Sequence, residues 1–526
     1  MVTSGLPPTE AQPAPLDPLT RWAREAGGKP AVILGDTTLR YDELEAAATR
    51  VARGLHALGA RPGTRVLWCG TNAVELLQVV HACRLGGFVS VPVSFRATAH
   101  EMAHMIRVAE GVVLVADSDR VGTAVEACRQ LPAPPRVVGY GAPAPGHREV
   151  TSWREMLDAG ADSPVAVAGT GAASVIMFTS GTTGLPKGAL RSSLDTRAAT
   201  ALTDELGLGG SDEVHLCAGP FYHAGPIRWT TLVQASGGTV VVMPRFDPDE
   251  WLRLLTRYRV TSSFVAPTML KRILTAPGMA DLDRSALALR CLIISGSPAP
   301  QSVKEATAQA FGDVLYECYG STETGTNTLL RPEDQLRKPG SCGRPIATMR
   351  VRILDAHDQP VGPGVAGEVY IHSPMTIDRY VGTDEQLRSV DGYVSAGDLG
   401  YLDEDGYLFL VDRRNDTIVS GGVNVYPAEV EAALHAHPDV ADVAVFGIPS
   451  QEWGESVHAV VEPGPGAELR GESLAAFARR TLASYKVPRS WEFRDQLPRN
   501  DSGKLLKQQL RAPFWKAGTV ADVVQS

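Results

Sequence analysis

The stretch Thr179-Ser-Gly-Thr-Thr-Gly-Leu-Pro-Lys-Gly188 does most to narrow what this chain can fold into. It follows Ser174-Val-Ile-Met-Phe178, a short apolar run that reads as a buried strand. A strand feeding a loop dense in glycine, hydroxyl and lysine forms a cradle for phosphate. Gly181, Gly184 and Gly188 let the backbone bend tightly and come close to an anion. Exposed N–H groups and the hydroxyls of Thr179, Ser180, Thr182 and Thr183 can donate to phosphate oxygens. Lys187 adds a mobile point charge. The spacing differs from that of the P-loop, because the lysine follows Leu-Pro and precedes glycine.

The sequence before this loop alternates strand and helix. Leu39-Arg-Tyr-Asp-Glu-Leu-Glu45 opens an amphipathic helix through Leu55 and Leu58, stopped at Gly59. Arg65–Cys69 reads as a strand, Glu75 to Leu85 as a helix, and Phe88–Val93 and Val112–Ala116 as further strands. This is a doubly wound α/β pattern. Residues 141–172, rich in Ala, Gly and Pro, read as a loose connector, and His104, His147 and His215 as isolated surface or core histidines. At 526 residues more than one domain is expected, since single cores stop growing at about 250–300 residues.

Four more stretches carry chemistry. Gly219-Pro-Phe-Tyr-His-Ala-Gly225 sets His223 among aromatics ahead of an apolar helix, on which Trp229 and Leu232 are either pocket walls or core. Leu292-Ile-Ile-Ser-Gly-Ser-Pro298 is a strand ending in a turn, and ligands of open α/β sheets bind beyond such strand ends. In Tyr316-Glu-Cys-Tyr-Gly-Ser-Thr-Glu-Thr-Gly325, Tyr319 offers a flat face for adenine and Gly320 permits close approach. Ser321 and Thr322 can reach an α-phosphate, and Glu323 is a carboxylate suited to Mg²⁺, which prefers oxygen ligands and substrate phosphates. Asp398, in Gly392-Tyr-Val-Ser-Ala-Gly-Asp398, has the acceptor pair needed for two vicinal hydroxyls. Leu399–Leu410 then reads as a hairpin turning on Asp405-Gly406.

Together with Asp412–Gly422 and the late Leu497-Pro-Arg-Asn-Asp-Ser-Gly-Lys504, these stretches stand in an order that resembles the adenylate-forming superfamily of acyl-CoA synthetases, adenylation domains and luciferases. The likeness is strongest to a stand-alone acyl-CoA or aryl-CoA ligase. It implies a large N-terminal domain, residues 17–412, of doubly wound mixed sheets with a β-rich subdomain. A small mobile α+β domain, residues 413–526, would be hinged near Asn415, where the family usually has Asp or Lys. Gly296, Ser297 and Pro298 would lie against adenine and ribose, Arg413 would contact the ribose, His223 would stand at the mouth of the acyl pocket, and Lys504 would be the catalytic lysine. The implied reaction joins a carboxylic acid to ATP as acyl-adenylate with loss of pyrophosphate. The small domain then swings, and the loop at Gly421 and Gly422 admits the pantetheine arm of coenzyme A. A separate carrier protein, an amine or another small nucleophile is the alternative acceptor.

A net charge of −9 argues against a nucleic-acid binder. Seven scattered cysteines without a Cys-x-x-Cys pair indicate neither a disulfide framework nor a zinc site. The N-terminus reads as a short frayed tail ending near Leu16, without a signal peptide, and no apolar run is long enough to span a bilayer. About twenty residues follow Lys504, so no appended carrier domain is expected. A cytoplasmic enzyme, possible as a homodimer, is the expectation.

Overall fold

The computed structural model describes residues 16–141, 148–163, 174–179, 186–413, 416, 418–420, 423–450, 453–480, 482–500 and 505–516. The local signals act as read. Tyr41–Ala57 is a helix whose buried stripe is Tyr41, Leu44, Ala48, Val51, Ala52 and Leu55, and Gly59 turns the chain at φ +104°. The strands Arg65–Cys69, Val89–Val93 and Gly111–Asp117 are almost wholly buried and run parallel, as continuous apolar runs require.

Two large sheets carry the first part of the chain. In the eight-stranded sheet, Val175–Thr179 and Lys187–Arg191 form an antiparallel pair with Thr179 opposite Lys187, and Arg379–Val381 extends the edge. In the nine-stranded sheet, six neighbouring strands from Pro30–Leu34 to Leu315–Ser321 run parallel, and Gly325–Leu330 returns antiparallel on Leu315–Ser321. Between the sheets, the buried Asn72 amide donates to the Gly219 and Met243 carbonyls, at 2.9 Å each, and its oxygen accepts from Phe221 N at 2.8 Å. A third sheet of five strands, Arg350–Leu354 through Leu408–Arg413, contains the expected hairpin, with Gly406 at φ +79° in its turn. A fourth, also of five strands, spans Ile418–Phe493 and has its own core of Ile418, Val425, Val430, Val443, Val445, Val457 and Leu474. No helix among the described residues is long and apolar enough to cross a membrane.

Two readings need correction. Within the supposed loose connector, Thr151–Ser152 is a strand and Trp153–Ala159 a helix with a complete capping box, Ser152 accepting from Glu155 N and Glu155 from Ser152 N. Glu452–Glu455 reads as a loop, yet Gly454 and Glu455 begin the strand Gly454–Pro463, because Ser450 and Gly454 pair across the long hairpin with Val440–Ser450.

Candidate active site

Three sheets meet at the turn Ser321–Gly325, which joins Leu315–Ser321 to Gly325–Leu330. The turn is tight. A side chain on Gly320 would come within 2.0 Å of the Gly325 carbonyl, and Gly325 has φ +80°. Ser321 Oγ accepts from Thr324 N at 3.2 Å and lies 3.0 Å from Thr324 Oγ1, and Ser373 Oγ donates to the Thr324 carbonyl at 2.6 Å.

From the eight-stranded sheet come Lys187, Arg191 and Tyr380. Strand alternation places Lys187 and Arg191 on one face. A Cβ on Gly188 would meet Val381 at 2.5 Å and Ile176 at 2.9 Å, so the glycine lets this strand lie close to its neighbours. Lys187 Nζ pairs with Glu385 and sits 5.9 Å from the Tyr380 ring centroid. Tyr380 donates its hydroxyl to Glu323 Oε1 at 2.8 Å. Burial, and then the Glu323 charge, push that phenol well above its usual range, so it stays a donor. Arg191 donates to the Thr322 carbonyl at 2.9 Å and to the Met375 carbonyl at 2.8 Å. Burial lowers its guanidinium while Asp378 and Glu323 oppose the shift.

Tyr319 connects the turn to the third sheet. Its hydroxyl donates to Asp398 Oδ2 at 2.6 Å, and Asp398 is only 8% exposed. Arg413 pairs with Asp398 in the strand register, directly opposite on Leu408–Arg413. The loop after Cys291–Ser295 faces the same region: Gly296 has φ +97° and open space around a built Cβ, with Ser297 part-buried and Pro298 exposed. Beneath it lies a buried ion pair. Glu317 binds Lys304 and accepts from Ala299 N at 3.4 Å, fixing the loop's exit.

His223 caps the helix Ala224–Ala235, its ring 4.2 Å from that of Tyr222, which meets Phe95 edge-on at 5.3 Å. Trp229 and Leu232 are buried in a hydrophobic cluster with Leu202, Cys318 and Met375. About one and a half turns beyond His223, Arg228 Nη1 donates to Thr326 Oγ1 at 2.9 Å and ties this helix to the turn. His104 Nε2 lies 3.0 Å from the Pro186 carbonyl, at the exit of the glycine-rich loop.

The structure thus brings together Thr179, Lys187, Tyr319, Gly320, Ser321, Thr322, Glu323 and Asp398, with Gly296–Pro298 and His223 on flanking loops. Ser180, Gly181, Thr182, Thr183, Gly184, Asn415, Gly421, Gly422 and Lys504 lie outside the described residues. Arg499 and Leu505, which bracket Lys504, face each other across an antiparallel bridge. Sequence reading missed Arg191, Arg228, Tyr380 and Glu385. Arg191 left a signal, three places after Gly188 and on the lysine's face of the strand; Tyr380 and Glu385 left none, being far away in the chain.

The family profile described as AMP-binding enzyme matches residues 19–381, and its C-terminal counterpart, the AMP-binding enzyme C-terminal domain, matches residues 429–504. A feruloyl-CoA synthase of an Amycolatopsis species is 36% identical over 503 residues, 94% of this chain and 98% of its own. A fatty acid–[acyl-carrier-protein] ligase of Streptomyces coeruleorubidus is 34% identical over 507 residues, covering 92% and 93%. The solved amide bond synthetase of Marinactinospora thermotolerans superposes with a TM-score of 0.83 at 29% identity, covering 94% of this chain and 99% of its own. The extent of these matches, together with the order of the site residues, shows that this chain belongs to the AMP-binding enzyme family, the adenylate-forming ligases.

Proposed function

We propose that the chain activates a carboxylic acid with ATP as its acyl-adenylate, releases pyrophosphate, and passes the acyl group to the thiol of coenzyme A. The observation that carries this reading is the convergence of Lys187, the Tyr380–Glu323 pair and the Tyr319–Asp398 pair on one turn. The chemical difficulty is that a carboxylate must approach the α-phosphorus of ATP, and the two anions repel. Donors and cations fixed where charge builds up lower that barrier.

The residues fit the groups required. Open space at Gly296 leaves room for a nucleoside against the loop, and the Tyr319 ring gives it a flat face. Asp398, steadied by the Tyr319 hydroxyl, would accept from the ribose hydroxyls, with Arg413 as its strand neighbour. Glu323 would hold Mg²⁺. Phosphate and water oxygens would complete the shell, as Mg²⁺ prefers. When bound, Mg²⁺ supplies positive charge on the phosphates. Lys187, exchanging Glu385 for phosphate, and the hydroxyls of Thr179, Ser180, Thr182 and Thr183 would steady the departing pyrophosphate with Gly181 and Gly184. Ser321 and Thr322 would face the α-phosphate, and Lys504 would bridge the incoming carboxylate and the ribose or α-phosphate oxygens.

The reading divides the chain at residues 412 and 413. A small mobile domain, hinged near Asn415, would withdraw Lys504 after the first step and bring Gly421 and Gly422 to the thiol. A second acceptor, a carrier protein or an amine, is favoured by the carrier-protein ligase and the amide synthetase among the similar proteins. Seven free cysteines support a cytoplasmic setting. The reading admits a homodimer, which size-exclusion chromatography tests. Acid-dependent exchange of labelled pyrophosphate into ATP is the decisive experiment, followed by AMP release with coenzyme A, carrier protein or amine. No exchange with any acid would sink the proposal.

A further inference from the structure

Arg228, five residues past His223, is a part-buried cation whose hydrogen bond goes to a neutral hydroxyl. Its guanidinium donates to the Thr326 hydroxyl at 2.9 Å and lies 5.9 Å from the Trp229 ring centroid. Among the described residues no carboxylate pairs with it. The charged group that acts on it most is another cation, Arg191; burial first, and then that like charge, pull the Arg228 guanidinium down to about 10. Asp378 and Glu323 balance Arg191, but a buried guanidinium such as Arg228, with no carboxylate of its own among the described residues, is costly unless an anion completes the site.

The strand that Arg228 reaches is buried and polar at once. Gly325–Leu330 is buried along its whole length, yet Thr326, Asn327 and Thr328 are polar. Gly320 faces Thr326 and Tyr319 faces Thr328, so Asn327 is the extra residue of a bulge. Bulges re-aim a side chain and occur beside active sites. The Asn327 amide is fully buried, and neither its nitrogen nor its oxygen has a hydrogen-bond partner among the described residues. A Cβ on Gly325 would stand 3.8 Å from Arg228 Nη2 and 3.0 Å from the Met375 side chain, so the glycine keeps clear the space beside the guanidinium.

We propose that Arg228 and the Asn327 amide, in the field of Arg191, receive a second acidic group on the substrate, so that the preferred acid is a dicarboxylate or an equivalent doubly anionic acid. The guanidinium fork matches a carboxylate bidentately, which a plain fatty or aryl monoacid cannot offer at its far end. This inference rests on the acid-ligase reading and deepens it.

The test pairs acids of matched skeleton, adipate with hexanoate and terephthalate with toluate. Two readouts are taken: kcat/KM of acid-dependent pyrophosphate exchange, and calorimetric binding of each acid beside a non-hydrolysable ATP analogue. Wild type should prefer the diacid in both. Arg228→Met should lower the diacid-to-monoacid ratio by about 30- to 100-fold, with part of it regained in Arg228→Lys. Asn327→Val should lower the same ratio, and it decides the matter if Arg228→Met does not fold. A wild type that prefers monoacids, or variants that weaken both acids equally, overturns the proposal. Absence of exchange with calorimetric diacid binding that Arg228→Met removes would fail the ligase reading and leave the subsite standing; absence of binding by either diacid overturns the subsite.

Discussion

Tyr380 donates to one carboxylate oxygen of Glu323. If Glu323 is the proposed Mg²⁺ ligand, the phenol would hold that oxygen and leave the other for the metal. Supporting partners of this kind change metal affinity by about 10- to 100-fold. Tyr380→Phe should therefore raise the Mg²⁺ concentration needed for half-maximal pyrophosphate exchange about tenfold, while Glu323→Gln should slow exchange about 10²- to 10³-fold at saturating Mg²⁺. A Tyr380→Phe variant with an unmoved Mg²⁺ titration would refute the assignment. Lys187 makes a second case. Its ammonium is paired with the half-exposed Glu385, so phosphate must compete for it. Such pairs are worth about 0–1 kcal/mol, so Glu385→Gln should lower the KM for ATP about two- to fivefold, and a KM that rises would mean that Glu385 orders the loop instead. At this scale the sequence shows chemistry only where glycine and hydroxyl residues cluster. Lys187, Glu323 and Asp398 are legible because each stands in such a string. Tyr380 and Arg228 are not, since a tyrosine in a short strand or an arginine on an apolar helix has the same local pattern whether it packs or binds.

Among the elements, strands and helices were readable wherever caps, glycine stops or continuous apolar runs marked them. Thus Gly59 ends Tyr41–Ala57, and Gly406 turns the hairpin into Leu408–Arg413. The connector was misread because its Ala, Gly and Pro content concealed the Ser152-x-x-Glu155 capping box. The strand onset at Gly454 depends on pairing with Ser450, which no local signal encodes. The bulge at Asn327 is likewise a property of the pair, not of the strand. What holds elements in place across the two large sheets is also non-local. Asn72 satisfies two carbonyls and one N–H on the segments around Phe221 and Met243. Asn72→Ala would remove the amide partner of the Met243 carbonyl and the Phe221 N–H and leave the Gly219 carbonyl only the weak Cys217 thiol donor, at about 1–3 kcal/mol for each group left unpaired before relaxation or water entry. The expected loss is about 3 kcal/mol in a denaturation experiment. The KM for the acid should rise as well, because the loop carrying His223 loses its anchor. An unchanged melting curve would count against this role.

For the molecule as a whole, acid sensitivity follows from where neutral histidines are buried. Burial lowers His81 and His458 to about 4 and His215 to about 3. Unfolded histidine titrates near 6.5, so between about 6.5 and these values the unfolded chain binds protons that the folded chain does not. Their contribution to stability is complete above about pH 6.5 and is lost as pH falls through 4 toward 3. The melting temperature should drop over that interval, and His215→Asn should make the drop shallower; an unaltered slope would rule out its part. The assembly of the site from three sheets could not be foreseen, because it depends on pairings between segments as distant as Lys187–Arg191 and Arg379–Val381. Its order along the chain nevertheless revealed the family. In the chain Asn415, the proposed hinge, and Lys504 both follow the strands of the third sheet, and the proposed division of labour yields a directional test. If Lys504 serves only the first step, Lys504→Ala should reduce acyl-adenylate formation at least about 10²-fold, as loss of a charge-stabilising donor does. Thioester formation from supplied acyl-adenylate should remain within a few fold of wild type. Asn415→Pro, by restricting φ at the hinge, should do the reverse, slowing the thiol step while pyrophosphate exchange continues. Equal impairment of both half-reactions in either variant would mean that a single arrangement of the two lobes serves the whole reaction.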